Sequence, residues 1–399
     1  MVRVLRCSAI ALLAACGPVP AEKLVDSTVP PDLTVDTTDT TDTVDPPDTD
    51  ETPATTGFSE RSVDLGTARS DPYGIVSFDV EIAAGDTGFT LFGEAGELLM
   101  IERLVAPDGT VASKWQTWWG GPRDLTDAFW PYYEEVSLTW PMRASDGEIQ
   151  PGTWTVDVAT VDGDWNYLGG VDVTASARIR GDDDASTGTI RVVLVWAAGV
   201  EAEPGVADAV DAAVARWREV WAPAGLTLEL REVSSALSAD MLPPWDPGSE
   251  VADAAALADD GEVVVFLGDL MRDSFYWYGV SGGIPGPLEI TGHSATLVSW
   301  LPHAGVDAAF DADEIGLFGE TLAHEVGHYV GLQHPVQSDY LRWDAIDDTV
   351  ECTGPADCES QLGENIMFPY SICDADGCVD TFALTADQIG QLHRAGATR

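Results

Sequence analysis

The sequence predicts a mixed α+β protein, in which an N-terminal antiparallel β-sandwich precedes a domain with a mixed sheet and helices. Up to about Arg180, apolar residues alternate in short runs broken by glycine, aspartate and proline, without a long helical period. This alternation is typical of half-buried antiparallel strands. Beyond it, near-continuous apolar runs and one amphipathic segment indicate strands that are buried on both faces and covered by helices.

The first residues are predicted to be a secretion signal. Arg3 and Arg6 precede the apolar run CSAIALLAAC, which is too short to span a membrane. The run ends in LAAC, residues 13–16, and resembles the lipobox of bacterial lipoproteins. We therefore expect residues 1–15 to be removed and Cys16 to be lipidated, anchoring an exported protein in the bacterial cell envelope. A cleavable signal without lipidation is the alternative.

Residues 16–57 are predicted to form a disordered stalk. They include TVDTTDTTDTVDPPDTDETPATTG, which has too little apolar surface to fold and enough charge to stay extended. The whole chain carries a formal net charge of −49 at pH 7. Such a charge repels nucleic acid, so we expect no nucleic-acid partner.

Residues 58–182 are predicted to be the β-sandwich accessory domain. Four segments have the alternation of strands: GIVSFDVEIAA, ELLMIERLVAP, GTWTVDVATVD and VDVTASARIR. Seven of the 14 tryptophans lie between Trp115 and Trp165. Core packing explains tryptophans in such folds, and an aromatic face for sugars or peptides is the alternative.

Residues 187–399 are predicted to form the second domain. Its strand candidates are TIRVVLVWAA, LTLELREV, EVVVFLGDL and SATLVSW. Between the first two, apolar side chains recur every three or four residues from Val206 to Trp221, as one face of a helix requires. Gly205 and Pro223 bracket this helix.

Three of the six histidines lie in the segment LFGETLAHEVGHYVGLQHP. His324 and His328 are four residues apart and would share one face of a helix, where both can bind one metal ion. Glu325 lies beside them and can accept a proton from a water molecule at that site.

The residues after this helix predict a third ligand. Gly331 stands where the helix must end, because glycine readily takes the left-handed conformation of helix ends. Pro335 pushes His334 toward an extended backbone. The chain can then turn back and present His334 to the same ion. Three nitrogen ligands with one open position are the arrangement of a catalytic zinc site.

The full pattern H-E-x-x-H-x-x-G-x-x-H resembles that of the metzincin zinc proteases. In that family a methionine-containing turn passes beneath the zinc, and Met367 in the segment NIMFPY stands where that turn would lie. The resemblance implies a catalytic zinc ion, a protein or peptide substrate and a structural role for Met367. It also implies a substrate that lies extended along an edge strand, for which SATLVSW, from Ser294 to Trp300, is the candidate.

The segment from Asp344 to Thr349, with cysteines on both sides of Met367, resembles the pappalysin branch of secreted and surface endopeptidases. That resemblance implies a tyrosine that reaches the zinc or the reaction oxyanion, here Tyr370, although Tyr370 is one residue further from the methionine than is usual. It also suggests calcium, a cation that prefers oxygen ligands. The candidate calcium ligands are Asp344, Asp347, Asp348 and Thr349.

Four cysteines cluster near the C-terminus: Cys352, Cys358, Cys373 and Cys378. An even, clustered set in an exported protein predicts two disulfides, with three possible connectivities. A second metal site is the alternative, but no histidine lies within the cluster and no C-x₂-C spacing occurs.

These observations predict a lipid-anchored, zinc-dependent endopeptidase with Glu325 as general base. Two alternatives remain. The protein could be a surface binding protein or adhesin with an inactive protease domain, or its zinc could be purely structural. The intact Glu325 speaks against the first alternative, and the absence of an obvious fourth ligand speaks against the second.

Overall fold

The computed structural model describes residues 59–181, 186–305, 308–374 and 377–399. The predicted signal segment, the lipidation site Cys16 and the stalk lie outside these residues. Within the described ranges no helix is both long enough and apolar enough to cross a membrane.

The described residues up to 181 form strands, one short α-helix and two 3₁₀ turns. The strands and the α-helix are β1 (Ser59–Arg69), β2 (Ile75–Ile82), β3 (Asp86–Val105), β4 (Val111–Lys114), α1 (Trp115–Trp118), β5 (Arg123–Asp124), β6 (Tyr133–Trp140), β7 (Gly152–Val161) and β8 (Asp172–Gly181). All of these strands except β5 belong to one antiparallel sheet, which contains each of the four strands predicted here.

The 20-residue strand β3 organises this sheet. Its first half, up to Glu94, pairs with β6 and β8. Its second half, from Leu98, pairs with β7 and β4 and meets β6 once more at Leu99. Buried side chains of both halves, such as Leu91 and Ile101, pack into one hydrophobic core. The antiparallel pairing agrees with the prediction. The two separate sheets of a sandwich are not seen, because β3 is long enough to run through both halves.

The second set of elements starts at Gly188. It comprises β9 (Gly188–Trp196), α2 (Val206–Trp221), β10 (Leu226–Ser234), β11 (Asp240–Met241), α3 (Val251–Ala255), β12 (Val263–Gly268), β13 (Leu270–Met271), β14 (Gly279–Ser281), β15 (Thr296–Ser299), α4 (Ala312–Tyr329), β16 (Trp343–Asp344), α5 (Pro355–Leu362), β17 (Cys373–Asp374), β18 (Gly377–Cys378) and α6 (Ala386–Arg394). Helix α2 covers the predicted amphipathic segment and buries Val210, Val214 and Trp217.

A five-stranded sheet with the order β10-β9-β12-β15-β14 forms the centre of this part of the molecule. The first four strands are parallel, and β14 is antiparallel to β15. Residues of β9 and β12 are nearly all buried, as their continuous apolar runs predict.

The edge strand next to the histidine helix differs from the prediction. The segment Ser294–Trp300 contains β15, which lies between β12 and β14 and is therefore internal. The edge is β14, whose three residues Gly279–Ser281 pair with β15. A three-residue strand that begins with glycine has too weak a β signal to stand out in a sequence.

The two parts of the molecule make an extended interface. Thr126 donates its hydroxyl to the carbonyl oxygen of Ile284 at 2.6 Å. The carboxylate of Asp387 accepts the backbone N–H of Ala144 at 2.7 Å. Strand β5 pairs in parallel with β16 across the same interface. Loops of the first part therefore stand against the segments that surround the histidines.

Candidate metal centre and active site

Helix α4 holds the first two histidines. Asp311 caps its N-terminus by accepting the N–H of Glu314 at 2.9 Å, and the Glu314 carboxylate accepts the N–H of Asp311 at 2.8 Å. This reciprocal pair satisfies two backbone donors that a helix start leaves free. From Phe318 onward every residue of the helix is buried. His324 and His328 therefore face the interior of the molecule.

The three predicted ligands converge. The Nε2 atom of His334 lies 3.2 Å from Nε2 of His324 and 3.0 Å from Nε2 of His328. Among the histidine, cysteine and carboxylate side chains of the described residues, these three histidines form a group whose ligand atoms come close enough to hold one metal ion. All three side chains are buried.

The hydrogen bonds of the Nδ1 atoms show which nitrogen of His324 and of His328 presents a lone pair to the centre. Nδ1 of His324 lies 2.7 Å from the carbonyl oxygen of Ile366, and Nδ1 of His328 lies 2.6 Å from that of Leu332. A carbonyl oxygen accepts only, so both Nδ1 atoms carry the proton. The Nε2 atoms are therefore unprotonated, and their lone pairs point at one another.

This donor set fits a zinc ion. Zinc–nitrogen bonds of about 2.0–2.1 Å in tetrahedral geometry separate two nitrogens by about 3.3 Å, close to the spacing in the structure. Lone pairs at such a separation repel one another unless a cation lies between them. Burial lowers the pKa of His324 to about 4 and of His334 to about 3, and also lowers that of His328. The neutral imidazoles that a metal requires are thus the stable form.

Gly331 makes the return of the chain possible, as predicted. Its φ of 110° lies in a region that side chains other than glycine rarely adopt. The N–H of Gly331 donates to the carbonyl of His328 at 2.8 Å, and the N–H of Leu332 donates to that of Gly327 at 2.9 Å, which ends the helix. The chain then reverses and brings His334 to the centre.

Glu325 is fully buried beside the triad and faces the edge strand β14. A β-carbon built on Gly279 would lie 2.8 Å from both Cδ and Oε1 of Glu325. Position 279 must therefore be glycine if Glu325 is to keep this place. Burial raises the pKa of Glu325 well above its usual value, and a divalent cation at the histidines would act in the opposite direction.

Met367 lies directly under the histidine helix. A β-carbon built on Gly327 would stand 2.6 Å from the sulfur of Met367, so the methionine packs against the helix between His324 and His328. The Met367 turn is connected to α6: Asn365 accepts the N–H of Met367 at 2.9 Å and donates to Gln388 at 2.9 Å. The predicted structural position of Met367 matches this geometry.

Tyr370 lies near the centre but is engaged elsewhere. Its hydroxyl group contacts the hydroxyl of Tyr340 and donates to Glu359 at 3.0 Å. Tyr370 and His324 line one cavity. A catalytic role for Tyr370 stays a prediction, and it requires the hydroxyl to leave these two partners.

The carboxylates of the calcium candidates do not form a metal-binding group in the described residues, although Asp344 and Thr349 are in contact. Asp344 is 2% exposed and accepts the hydroxyl of Thr349, and its Oδ2 atom has no hydrogen-bond partner in the described residues. Asp347 lies 3.6 Å from Arg123, and Asp348 accepts the N–H of Asp387 at 2.9 Å. Burial raises the pKa of Asp344 to about 7. Calcium here stays a prediction that this arrangement does not support.

Two disulfides are present, as predicted, and both are local. Cys352 pairs with Cys358, and Cys373 pairs with Cys378. The first closes the turn before α5, where Cys352 and Cys358 pack with Phe368 in a small separate core. The tertiary structure thus selects one of the three possible connectivities.

Two glutamines and a glycine of this site were not predicted from the sequence. Gln391 on α6 donates to the carbonyl of Gly331 at 2.5 Å, and Gln337 lies 3.4 Å from Nδ1 of His334. Gly279 makes room for Glu325. The glycine-rich stretch YGVSGGIPGP was the available signal for Gly279, since glycine in a strand marks a close approach. Nothing in the sequence distinguishes the two glutamines.

One known protein is similar to this chain over part of its length. No protein-family model matches the chain. Over 123 residues the chain is 31% identical to "Extracellular metalloprotease 1" of Coccidioides posadasii (strain C735), which corresponds to 30% of this chain and 41% of that protein. The chain thus matches about two fifths of the length of this relative.

Two solved structures show a weak likeness. Metalloproteinase-II from Bacteroides fragilis is 15% identical, with coverage of 46% of this chain and 61% of that chain and a TM-score of 0.27. Archaemetzincin from Methanopyrus kandleri is 14% identical, with coverage of 52% and 88% and the same TM-score of 0.27. Likeness at this level carries no argument about fold or function.

Proposed function

We propose that this protein is a zinc-dependent endopeptidase of the metzincin type, related to the pappalysin branch. The observation that carries the proposal is the convergence of the Nε2 atoms of His324, His328 and His334, the first two of which lie on a helix that also carries the buried Glu325. The fungal relative that is named a metalloprotease supports the same class of activity.

The three histidines and Glu325 have different roles in this reaction. A zinc ion, when bound by His324, His328 and His334, supplies a Lewis acid that polarises the peptide carbonyl and acidifies water. Glu325 accepts a proton from the water molecule as its oxygen attacks the carbonyl carbon. When the carbon–nitrogen bond breaks, Glu325 passes that proton to the leaving amine.

Strand β14 is the surface on which we place the substrate. It is the sheet edge next to Glu325, and its outer side has no pairing strand in the described residues. An extended peptide can add to such an edge as a further strand through backbone hydrogen bonds. This binding mode holds a peptide bond near Glu325 without requiring a particular sequence.

Lipid anchoring through Cys16 and export to the cell envelope belong to the same proposal. They rest on the LAAC motif and the Thr/Asp/Pro-rich stalk. Calcium bound near Asp344 is a separate proposal, and it rests on the resemblance of the segment from Asp344 to Thr349 to the pappalysin branch.

The test compares purified residues 58–399 with the Glu325→Ala variant. We expect both proteins to hold about one zinc per chain by elemental analysis, because Glu325 is not a ligand. The parent should cleave unfolded protein, and the variant should be slower by about 10²–10⁴-fold because it lacks the general base. A chelator should abolish the parent's activity.

Other outcomes would overturn the proposal. Parent protein that holds zinc yet cleaves nothing, before and after limited proteolysis, would favour a binding protein. Equal cleavage by parent and variant would remove Glu325 from the mechanism.

A further inference from the structure

The three histidines differ in the group that contacts their outer ring nitrogen. Nδ1 of His324 and Nδ1 of His328 contact backbone carbonyl oxygens at 2.7 and 2.6 Å. Nδ1 of His334 instead faces a side chain, the Oε1 atom of Gln337, at 3.4 Å. The orientation of the third ligand therefore depends on one side chain, whereas backbone groups orient the first two.

This difference affects the atom that His334 offers to a cation. Nε2 of His334 has a free lone pair only when the proton of the neutral ring is on Nδ1. An acceptor beside Nδ1 favours that form, and the side-chain oxygen of Gln337 is such an acceptor. At 3.4 Å the contact is longer than the range of about 2.7–3.2 Å in which most N–H···O hydrogen bonds fall. A small shift of Gln337 is therefore enough to strengthen or to break it.

Gln337 begins a tight loop, residues 337–342, that follows His334 closely in the chain. The N–H of Gln337 donates to the carbonyl oxygen of Arg342 at 2.8 Å. The carbonyl oxygen of Gln337 accepts the N–H of Tyr340, also at 2.8 Å. Both backbone groups of Gln337 are thus hydrogen bonded within the loop, which fixes the point from which its side chain reaches His334.

The other side of this loop is connected to the segment that follows Met367. Tyr340 has a φ of 56°, in the left-handed region that residues with a β-carbon rarely adopt. Its hydroxyl group contacts the hydroxyl of Tyr370, which donates to Glu359 at 3.0 Å. A strained backbone conformation persists only where the surrounding contacts over-determine it. The loop is therefore held on both sides, and Gln337 is held with it.

The other acidic or polar side chains near the start of the loop are directed elsewhere. Ser338 and Asp339 are exposed, whereas Gln337 is half-buried. The carboxylate of Asp339 accepts the N–H of Leu341 at 2.9 Å and lies 3.2 Å from Nε of Arg342. Gln337 is thus the side chain of this loop that is placed to act on the metal centre.

We propose that Gln337 is a positioning residue for the third zinc ligand. Its side-chain oxygen accepts the proton on Nδ1 of His334 and so directs the lone pair of Nε2 toward the ion. The proposal rests on the zinc site of the proposed function. It assigns the strength of zinc binding in part to a loop that contributes no ligand, as partners of metal-bound histidines do in other sites.

The test measures the zinc dissociation constant of the full-length mature protein by competition with a chromophoric chelator. Gln337→Met keeps the length of the side chain and removes the acceptor, so it should bind zinc at least about tenfold more weakly than the parent. Gln337→Glu keeps an acceptor and adds a charge, so it should bind zinc at least as tightly as the parent. Gln361→Met is the matched control, because Gln361 is an exposed glutamine on α5, and its dissociation constant should equal that of the parent.

Two further readouts separate positioning from packing. Zinc-free Gln337→Met should unfold at the same urea concentration as the zinc-free parent, because the side chain keeps its volume. With cobalt in place of zinc, the visible absorption bands should change in Gln337→Met and stay unchanged in Gln361→Met, because they report the geometry of the ligands. Zinc binding by Gln337→Met that equals the parent's would overturn the proposal. Binding by Gln337→Glu that is as weak as in Gln337→Met would also overturn it.

The binding measurement also distinguishes this proposal from the enzymatic one, since it does not depend on cleavage. If the parent binds zinc but cleaves nothing, and Gln337→Met binds zinc tenfold more weakly, the endopeptidase function fails and the positioning role stands. If the parent cleaves and Gln337→Met binds zinc as tightly as the parent, the positioning role alone fails. A parent that binds no zinc would overturn both.

Discussion

Backbone carbonyl groups determine which ring nitrogen carries the proton in two of the three histidines. The carbonyl oxygens of Ile366 and Leu332 hold the protons of His324 and His328 on Nδ1. These carbonyls belong to the Met367 turn and to the turn after Gly331. The segments that follow the helix therefore orient the ligands that the helix carries, as second partners of metal-bound histidines generally do.

Substitution of Gly279 tests whether the carboxyl group of Glu325 must lie against β14. Gly279→Ala would put a methyl group 2.8 Å from Glu325 Oε1, so the carboxyl must move. We expect kcat to fall by about 10–100-fold with zinc content unchanged, because a displaced general base loses proton-transfer geometry. Gly292→Ala is the control, since nothing lies within 4 Å of its β-carbon. Full activity in Gly279→Ala would contradict this geometry.

Asp344 makes the folded state sensitive to pH. Its folded pKa of about 7 lies above the ordinary value of 3.8, so the folded protein keeps a proton that the unfolded chain loses. Stability should therefore fall as pH rises from about 4 to about 7. Asp344→Asn has no proton to lose at this position and should be more stable than the parent at pH 8, by about 1–3 kcal/mol. Urea unfolding at pH 5 and pH 8 measures the difference.

The same variant tests calcium. If calcium binds at Asp344, adding it at pH 8 should stabilise the parent and not Asp344→Asn. Equal effects on both proteins would place any calcium elsewhere. A parent that calcium does not stabilise would remove calcium from this site.

At the scale of elements, two glycines set how closely α4 is packed. Gly319 faces α2, where a β-carbon would stand 2.6 Å from Cβ of Arg216 and also meet the carbonyl oxygen of Ala213. Arg216 in turn donates to Glu320 at 2.6 Å, so the two helices are linked by a largely buried ion pair. Gly327 gives the same close approach to Met367 on another face.

Gly319→Ala should therefore push α2 and α4 apart. We expect a loss of about 1–3 kcal/mol in the free energy of unfolding, because a backbone carbonyl cannot give way as a flexible side chain does. Gly316→Ala on the same helix meets nothing within 4 Å and should be neutral or stabilising by up to about 1 kcal/mol. Denaturant unfolding of both variants gives the comparison. Equal effects would mean that the two helices are not in close contact at Gly319.

At the scale of the whole molecule, the antiparallel part stands against the segments that build the active site. The bonds from Thr126 to Ile284 and from Ala144 to Asp387 connect it to the loop after β14 and to α6. The isolated second domain would expose these surfaces. The domain that the sequence predicts as an accessory therefore packs against segments that flank the candidate active site.

The proposed anchor is tested on the whole protein in a bacterial host. Cys16→Ser should abolish incorporation of labelled palmitate and move the protein out of the membrane fraction, because no lipid can attach to serine by this route. Cys7→Ser is the control, because Cys7 lies in the segment predicted to be removed, and its loss should change neither result. Palmitate incorporation that survives in Cys16→Ser would place the lipid elsewhere.

The sequence by itself determined the features that depend on local spacing. Histidines four residues apart on a helix share a face, and a glycine that ends the helix allows a third histidine to return. These rules predicted His324, His328 and His334 without any long-range information. The α2 helix and the strand runs were predictable for the same reason, because periodicity is a property of neighbours in the chain.

The tertiary structure alone decided which distant segments meet. The edge strand β14 and the carbonyls that orient the histidines each involve residues that are far apart in the chain. Their packing depends on shape and burial, which leave no periodic trace in a sequence. The pairing of the four cysteines could not be predicted for a related reason. Their spacing permits three connectivities, and only the folded chain brings particular pairs within bonding distance.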